Sequence, residues 1–180
     1  MPDLHDSKPS VSRPSDTEYA SYFGRYVGLV PDGEILGTLA GQISGTLATL
    51  RRVSDDDSLK RYAEGKWSIR EVVGHMIDTE RIFAYRALRI ARNDQTNLPG
   101  FEQDDYIPAA QFDRRPWPGL LEEFEAVRHS NVLMFRGLHE EAWERQGMSN
   151  GKLLSVRAAA YVIAGHERHH MKVLREQYGV

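Results

Sequence analysis

At 180 residues, 41% hydrophobic and without cysteine, the chain suits one domain and excludes disulfides, zinc–thiolate sites and a cysteine nucleophile. Its 23 basic and 26 acidic residues are interspersed and sum to −3, so no basic field exists to hold nucleic acid or an anionic membrane. No apolar run approaches the roughly 20 residues that span a bilayer, and Met1 to Asp16 lacks a signal-peptide hydrophobic region, which points to a cytoplasmic protein.

Residues 1–20 hold Pro2, Pro9 and Pro14 among Ser and Asp, too little apolar material to offset ordering entropy, and read as a flexible arm ahead of a domain over 21–180. From Glu34 to Arg52 the positions Leu36, Leu39, Ile43, Leu47 and Leu50 form one helical stripe. Gly37, Gly41 and Gly45 weaken that helix by up to ~1 kcal/mol each relative to Ala, but their spacing permits close helix packing and makes this face a candidate dimer surface. Ser68 and Glu71 have capping-box spacing and should start a long helix running to about Arg92. Asn93 to Trp117, with Pro99-Gly100, Asp104-Asp105, Pro108 and Pro116, shows no sustained period and reads as a long loop. Pro118 suits the first turn of a third helix that buries Leu120, Phe124, Val127, Met134 and Leu138. Gly147 to Gly151 breaks the pattern, and Ser155 can cap a fourth helix ending near Tyr178-Gly179. Four amphipathic helices make an all-α bundle.

His166 and His170 are four apart, which on a helix projects both from one face and lets them bind one ion. Both fall within the apolar arc of Ala159, Val162, Ile163 and Val173, whereas His169 lies at its edge. Buried imidazoles need something to satisfy their nitrogens, and a metal ion does so while keeping them neutral. His75, one turn beyond Glu71 on the second helix, is the best third ligand. The competing reading makes all three ordinary core histidines bonded to Asp78, Glu80 or Glu167. His5, His129 and His139, one in the arm and two among charged neighbours, read as surface residues.

Lys66-Trp67-Ser68-Ile69-Arg70-Glu71-Val72-Val73-Gly74-His75, then Asp78 and Glu80, then Gly165-His166-Glu167 through His170-Met171 with Leu174-Arg175, together resemble the DinB/YfiT-like superfamily. The likeness extends to Leu98-Pro99-Gly100-Phe101 and to the order of four long helices. It implies an up-up-down-down bundle with a long crossover, a divalent zinc or nickel ion on His75, His166 and His170, and a homodimer. It also implies either metal-dependent hydrolysis or transfer of a low-molecular-weight thiol to a small electrophilic substrate.

A three-histidine site leaves coordination positions open, so a water or thiol can be activated there as a nucleophile. Asp78 and Glu80 are weak candidates for a general base, and Glu167 adjoins a ligand. Arg81, Arg86 and Arg89 could hold an anionic substrate, but ion pairs with Glu and Asp on neighbouring helices account for them as well and are the preferred reading. Two rival readings are a non-catalytic, stress-associated metal-binding bundle and a metal-free interaction bundle.

Overall fold

The structure, a computed structural model, describes residues 11–180. In chain order its elements are α1 (Gly24–Val27), α2 (Ile35–Leu50), α3 (Ile69–Ala91), α4 (Gln103–Ala110), α5 (Trp117–Arg136), α6 (Glu140–Trp143), a hairpin of β1 (Gln146–Ser149) and β2 (Lys152–Ser155), and α7 (Val156–Val173). The long helices α2, α3, α5 and α7 form a four-helix bundle in which α3 packs on α5 and α7, and α2 packs on the same two.

The helix ends follow from local chemistry. Ser68 accepts from the Glu71 amide while the Glu71 carboxylate accepts from the Ser68 amide, closing the capping box at the start of α3. Ser155 accepts from the Ala158 amide at the start of α7, and proline occupies the first turn of α5. Past α7 the chain makes one wide turn over Leu174–Tyr178, closed by Gly179 at a positive φ of 75°. The Tyr178 hydroxyl donates to the Trp67 carbonyl at 2.6 Å, tying this end to the entry of α3.

Side-chain contacts fix the helix directions. Arg70, early in α3, donates to the Arg115 carbonyl just ahead of α5, and Glu80 pairs with Arg128 further along both, so these helices are parallel. Ile90 near the end of α3 packs against Gly147 in the hairpin that leads into α7, while His75 meets His166 far along it, so α3 and α7 are antiparallel. Arg51 at the end of α2 pairs with Glu125, while Arg128 reaches back to the Leu39 carbonyl, so α2 opposes α5. Gln42 bonds the Ala164 carbonyl and Thr46 bonds Glu167, so α2 is parallel to α7. The order is therefore up-down-down-up, which corrects the up-up-down-down order expected from the resemblance. The reason is where the crossover falls: only the parallel pair α3 and α5 needs a connection that returns the length of the bundle, and residues 92–116 supply it.

That crossover is not the plain loop expected. It carries α4, despite Pro108, because Asp104 and Asp105 sit in its first turn, where a helix N-terminus favours negative charge, and Ile107 is buried. Phe112 then packs where Gly74 has no side chain: a Cβ there would lie 2.4 Å from the Phe112 ring. Residues 11–20 also differ from the loose arm expected of them. Val11 and Tyr19 are buried, Tyr19 bridges to Leu154, and Glu18 pairs with Arg157 at 2.7 Å while accepting from Ser155 at 2.8 Å. The bundle supplies the covering surface that the segment's own composition lacks. The remainder of the expected arm, with His5, lies outside the described residues.

Two apolar clusters occupy the two ends of the bundle. One holds Ile35 to Leu39, Phe83 to Ala91, Val132 to Leu138 and Val156 to Ala164; the other holds Ile43 to Leu50, Ile69 to Ile77, Trp117 to Phe124 and Met171 to Leu174. Between them, at one level of the bundle, lie the buried polar residues Glu80, Arg128, His166 and Glu167.

Candidate metal centre

His75, His166 and His170 come together as the sequence leads one to expect. The Nε2 atoms of His75 and His166 are 3.0 Å apart, and those of His170 and His166 are 3.1 Å apart. All three ligand atoms lie within 4.8 Å of one another. The antiparallel packing of α3 on α7 sets His75 opposite His166, and the four-residue step along α7 adds His170.

An sp² ring nitrogen offers either one lone pair or one proton, so the Nε2 of His166 can serve only one of its two neighbours. A divalent cation satisfies all three. Tetrahedral coordination with bonds of about 2.0–2.1 Å sets nitrogen pairs roughly 3.3 Å apart, close to the spacing found. Burial pushes His75 down to about 4, aided by the neighbouring His169, and burial with the adjacent imidazoles holds His166 and His170 well below their ordinary values. All three are thus neutral at pH 7 with lone pairs available, as metal ligation requires. The Thr79 hydroxyl lies 3.5 Å from Nδ1 of His75, the atom that carries the proton when Nε2 is a ligand. The indole of Trp67 lies against His75 at 5.0 Å between centroids, and Tyr26 meets His166 edge-on at 5.2 Å. Gly165 makes the second contact possible, because a Cβ there would sit 2.0 Å from the Tyr26 carbonyl oxygen.

The carboxylates of the competing reading point elsewhere. Glu80 accepts from Nε and Nη2 of Arg128, both at 2.8 Å, and also from Asn131. Glu167 pairs with the same guanidinium at 2.7 Å and accepts from Gln42 and Thr46. Asp78 is half-buried among Arg81, Glu123 and Arg115, and burial raises its pKa. None of the three makes a hydrogen bond to the imidazoles among the described residues. His169 packs edge-on against Tyr26 and His170, at the margin of the site. His129 and His139 are exposed, as expected.

Two clefts open beside the imidazoles. A cavity of about 500 Å³ reaches His75 and His166 and is walled by Phe23, Phe83 and Phe101, with Arg86 and Thr79 also lining it. A second, of about 570 Å³, reaches His169 and His170 beside Trp67 and Tyr178, and Asp104 of α4 borders both. Sequence reasoning missed Tyr26, Thr79, Phe101 and Asp104 as lining residues. Thr79 was within reach of it: Thr79 and Phe83 continue the four-residue step from His75 on the same face of α3.

Comparison with known proteins agrees with this geometry. A protein of Oceanobacillus iheyensis, named Putative metal-dependent hydrolase OB0413, is 29% identical over 127 residues, covering 68% of this chain and 71% of its own. The structure of YfiT from Bacillus subtilis, described as a probable metal-dependent hydrolase with an unusual four-helix bundle topology, superposes with a TM-score of 0.64. The alignment covers 96% of this chain and 97% of that one at 15% identity, which establishes a shared fold. The model of the DinB superfamily matches residues 38–174, a span that begins in α2 and includes all three histidines, and the chain belongs to that superfamily.

Proposed function

We propose that the chain is a metal-dependent enzyme in which His75, His166 and His170 hold one zinc or nickel ion for attack on a small electrophilic substrate. The observation that carries this reading is the convergence of three neutral Nε2 atoms that no hydrogen-bonding scheme among the described residues satisfies. A divalent ion held there would supply Lewis acidity that lowers the pKa of a water or a low-molecular-weight thiol into the neutral range. The protein's own residues do the rest. Thr79 orients the His75 ring, Trp67 and Tyr26 pack the imidazoles in place, and the phenyl walls of the adjoining cavity take up the apolar part of a substrate and exclude water. That cavity favours an enzyme over a purely structural metal module, whose site would be closed by a fourth protein ligand.

Glu80, locked on Arg128, is given no catalytic role, and neither is Asp78. Homodimerisation fits the exposed Gly41 and Gly45 face of α2, where added side chains would meet open space, and is checked by light scattering.

The decisive measurement is elemental analysis of untagged protein alongside His75→Ala and His166→Ala. The expected result is near one zinc or nickel ion per chain, absent from both variants while helicity persists. Wild-type protein that neither carries nor takes up metal sinks the proposal. Metal-loaded protein is then assayed on ester and amide panels with and without added thiol, which separates hydrolysis from thiol transfer.

A further inference from the structure

Three arginines on α3 were expected to be explained by ion pairs, and two are: Arg81 pairs with Glu123 at 2.5 Å and Arg89 pairs with Asp94. Arg86 is not. It is 5% exposed, and no carboxylate among the described residues lies within ion-pair distance of it. Among the described residues its single hydrogen bond runs from Nη2 to the Pro99 carbonyl at 2.8 Å. Nε and Nη1 have no protein partner among the described residues yet are not sealed from solvent, and the space Arg86 borders is the 500 Å³ cavity beside His75 and His166. The guanidinium lies over Phe83 at 5.0 Å and Phe101 at 5.7 Å, which holds it in the wall. Burial alone lowers its affinity for its proton, so an uncompensated cation is being held out of water.

We propose that Arg86 recognises an anionic group on the substrate, so that the enzyme acts on an elongated molecule with an apolar body and a terminal carboxylate or phosphate. His75, Thr79, Phe83 and Arg86 line the same cavity from one face of α3, and the rise of the helix separates the two ends of this row by roughly 16 Å between Cα atoms. The reactive group sits at the histidine end, the body lies along the phenyl walls, and the oxyanion meets the free edge of the guanidinium. The other charges on the cavity, Glu102, Asp104 and Lys152, are exposed at its rim, where solvent and salt screen them. Buried Arg86 therefore dominates the field at the floor, and its planar fork suits a two-oxygen acceptor.

The inference rests on the metal-enzyme reading for the word substrate, but its test does not. Sodium 4-phenylbutyrate, its neutral amide and inorganic phosphate are titrated calorimetrically into full-length protein, metal-loaded and chelator-treated, for wild type, Arg86→Gln and Arg86→Lys. Metal content, circular dichroism and melting temperature are recorded in parallel. The expected result is that an anion binds wild type in both metal states, the amide binds about tenfold more weakly, and Arg86→Gln loses about tenfold or more at unchanged metal content. Arg86→Lys, which keeps the charge but loses the fork, falls between and serves if the glutamine variant is unstable. Binding of phenylbutyrate without competition by phosphate identifies a carboxylate pocket, and the reverse identifies a phosphate pocket. Equal binding of acid and amide, unaltered binding in Arg86→Gln, or no millimolar anion binding by wild type overturns the assignment. Anion binding that vanishes with the metal but survives in Arg86→Gln places the anion on the ion and likewise overturns it. Arg86-dependent binding in a protein that never takes up metal keeps the anion pocket and removes the metal enzyme.

Discussion

Glu167 and His166 are neighbours on α7, yet they enter two buried polar clusters of opposite character. On one side, Arg128 is gripped by Glu80 and Glu167, while Asn131, Gln42, Thr46 and the Leu39 carbonyl take up the remaining bonding capacity. On the other, three imidazoles turn nitrogen towards nitrogen, and no oxygen among the described residues bonds those facing atoms. The carboxylates and guanidinium of the first and His75 and His166 of the second are buried, with His170 half-buried beside them. Burial of polar groups alone does not mark a functional site. The distinction lies in whether the protein completes the bonding by itself, and at the histidines it does not.

The comparison predicts unequal responses to removing one member of each cluster. Arg128→Met strands two buried carboxylates and should cost about 3–5 kcal/mol in chemical denaturation, whereas replacing Arg128, Glu80 and Glu167 together by apolar residues of similar size should cost much less. In metal-free protein, His166→Leu breaks at most one imidazole pair and should cost no more than about 1 kcal/mol. A loss of several kcal/mol in that variant would show that the imidazoles are bonded as completely as Arg128 and would erase the contrast.

A third, completed cluster ties residues 11–20 to the bundle and gives a pH-dependent test. Burial raises the pKa of Glu18, but Arg157, Ser15 and Ser155 outweigh it and bring the group down to about 2 from an ordinary 4.5. A depressed carboxylate stabilises the fold fully above its unfolded value and loses that contribution as pH falls. Wild type should therefore lose stability relative to Glu18→Gln between pH 4.5 and about 2. Parallel melting curves over that window would contradict the ion pair. The smallest effect is expected at Asp78, which belongs to neither cluster: Asp78→Asn should stay within about 0.5 kcal/mol of wild type and keep its metal content.

The periodic elements were legible in the sequence because their signals are local. The Ser68–Glu71 box, the cap at Ser155, the proline in the first turn of α5 and the four-residue step between His166 and His170 each depend on residues within a turn of one another. What was not legible depends on distant partners. Residues 11–20 are ordered by Arg157 and Leu154, α4 is held against its proline by the burial of Ile107, and the helix directions are set by which pair the crossover joins. Arg86 is the sharpest case. In sequence it is indistinguishable from Arg81 and Arg89, and only the fold shows that the other two have carboxylates and it has a cavity.

The crossover over residues 92–116 matters for how such a protein could diversify. The imidazoles stand on α3 and α7, whereas much of the opposite wall of the cleft beside His75 and His166, from Gly100 to Asp104, belongs to the crossover. The segment is moored by Leu98 to the hairpin, by the Pro99 carbonyl to Arg86, by buried Ile107, by Phe112 over Gly74, by Asp113 to Ser68 and by the Arg115 carbonyl to Arg70. Part of the cleft's lining thus sits on a stretch of chain separate from the helices that carry the histidines. Substitutions between the moorings can reshape what the cleft admits while the helices that carry the three histidines remain untouched.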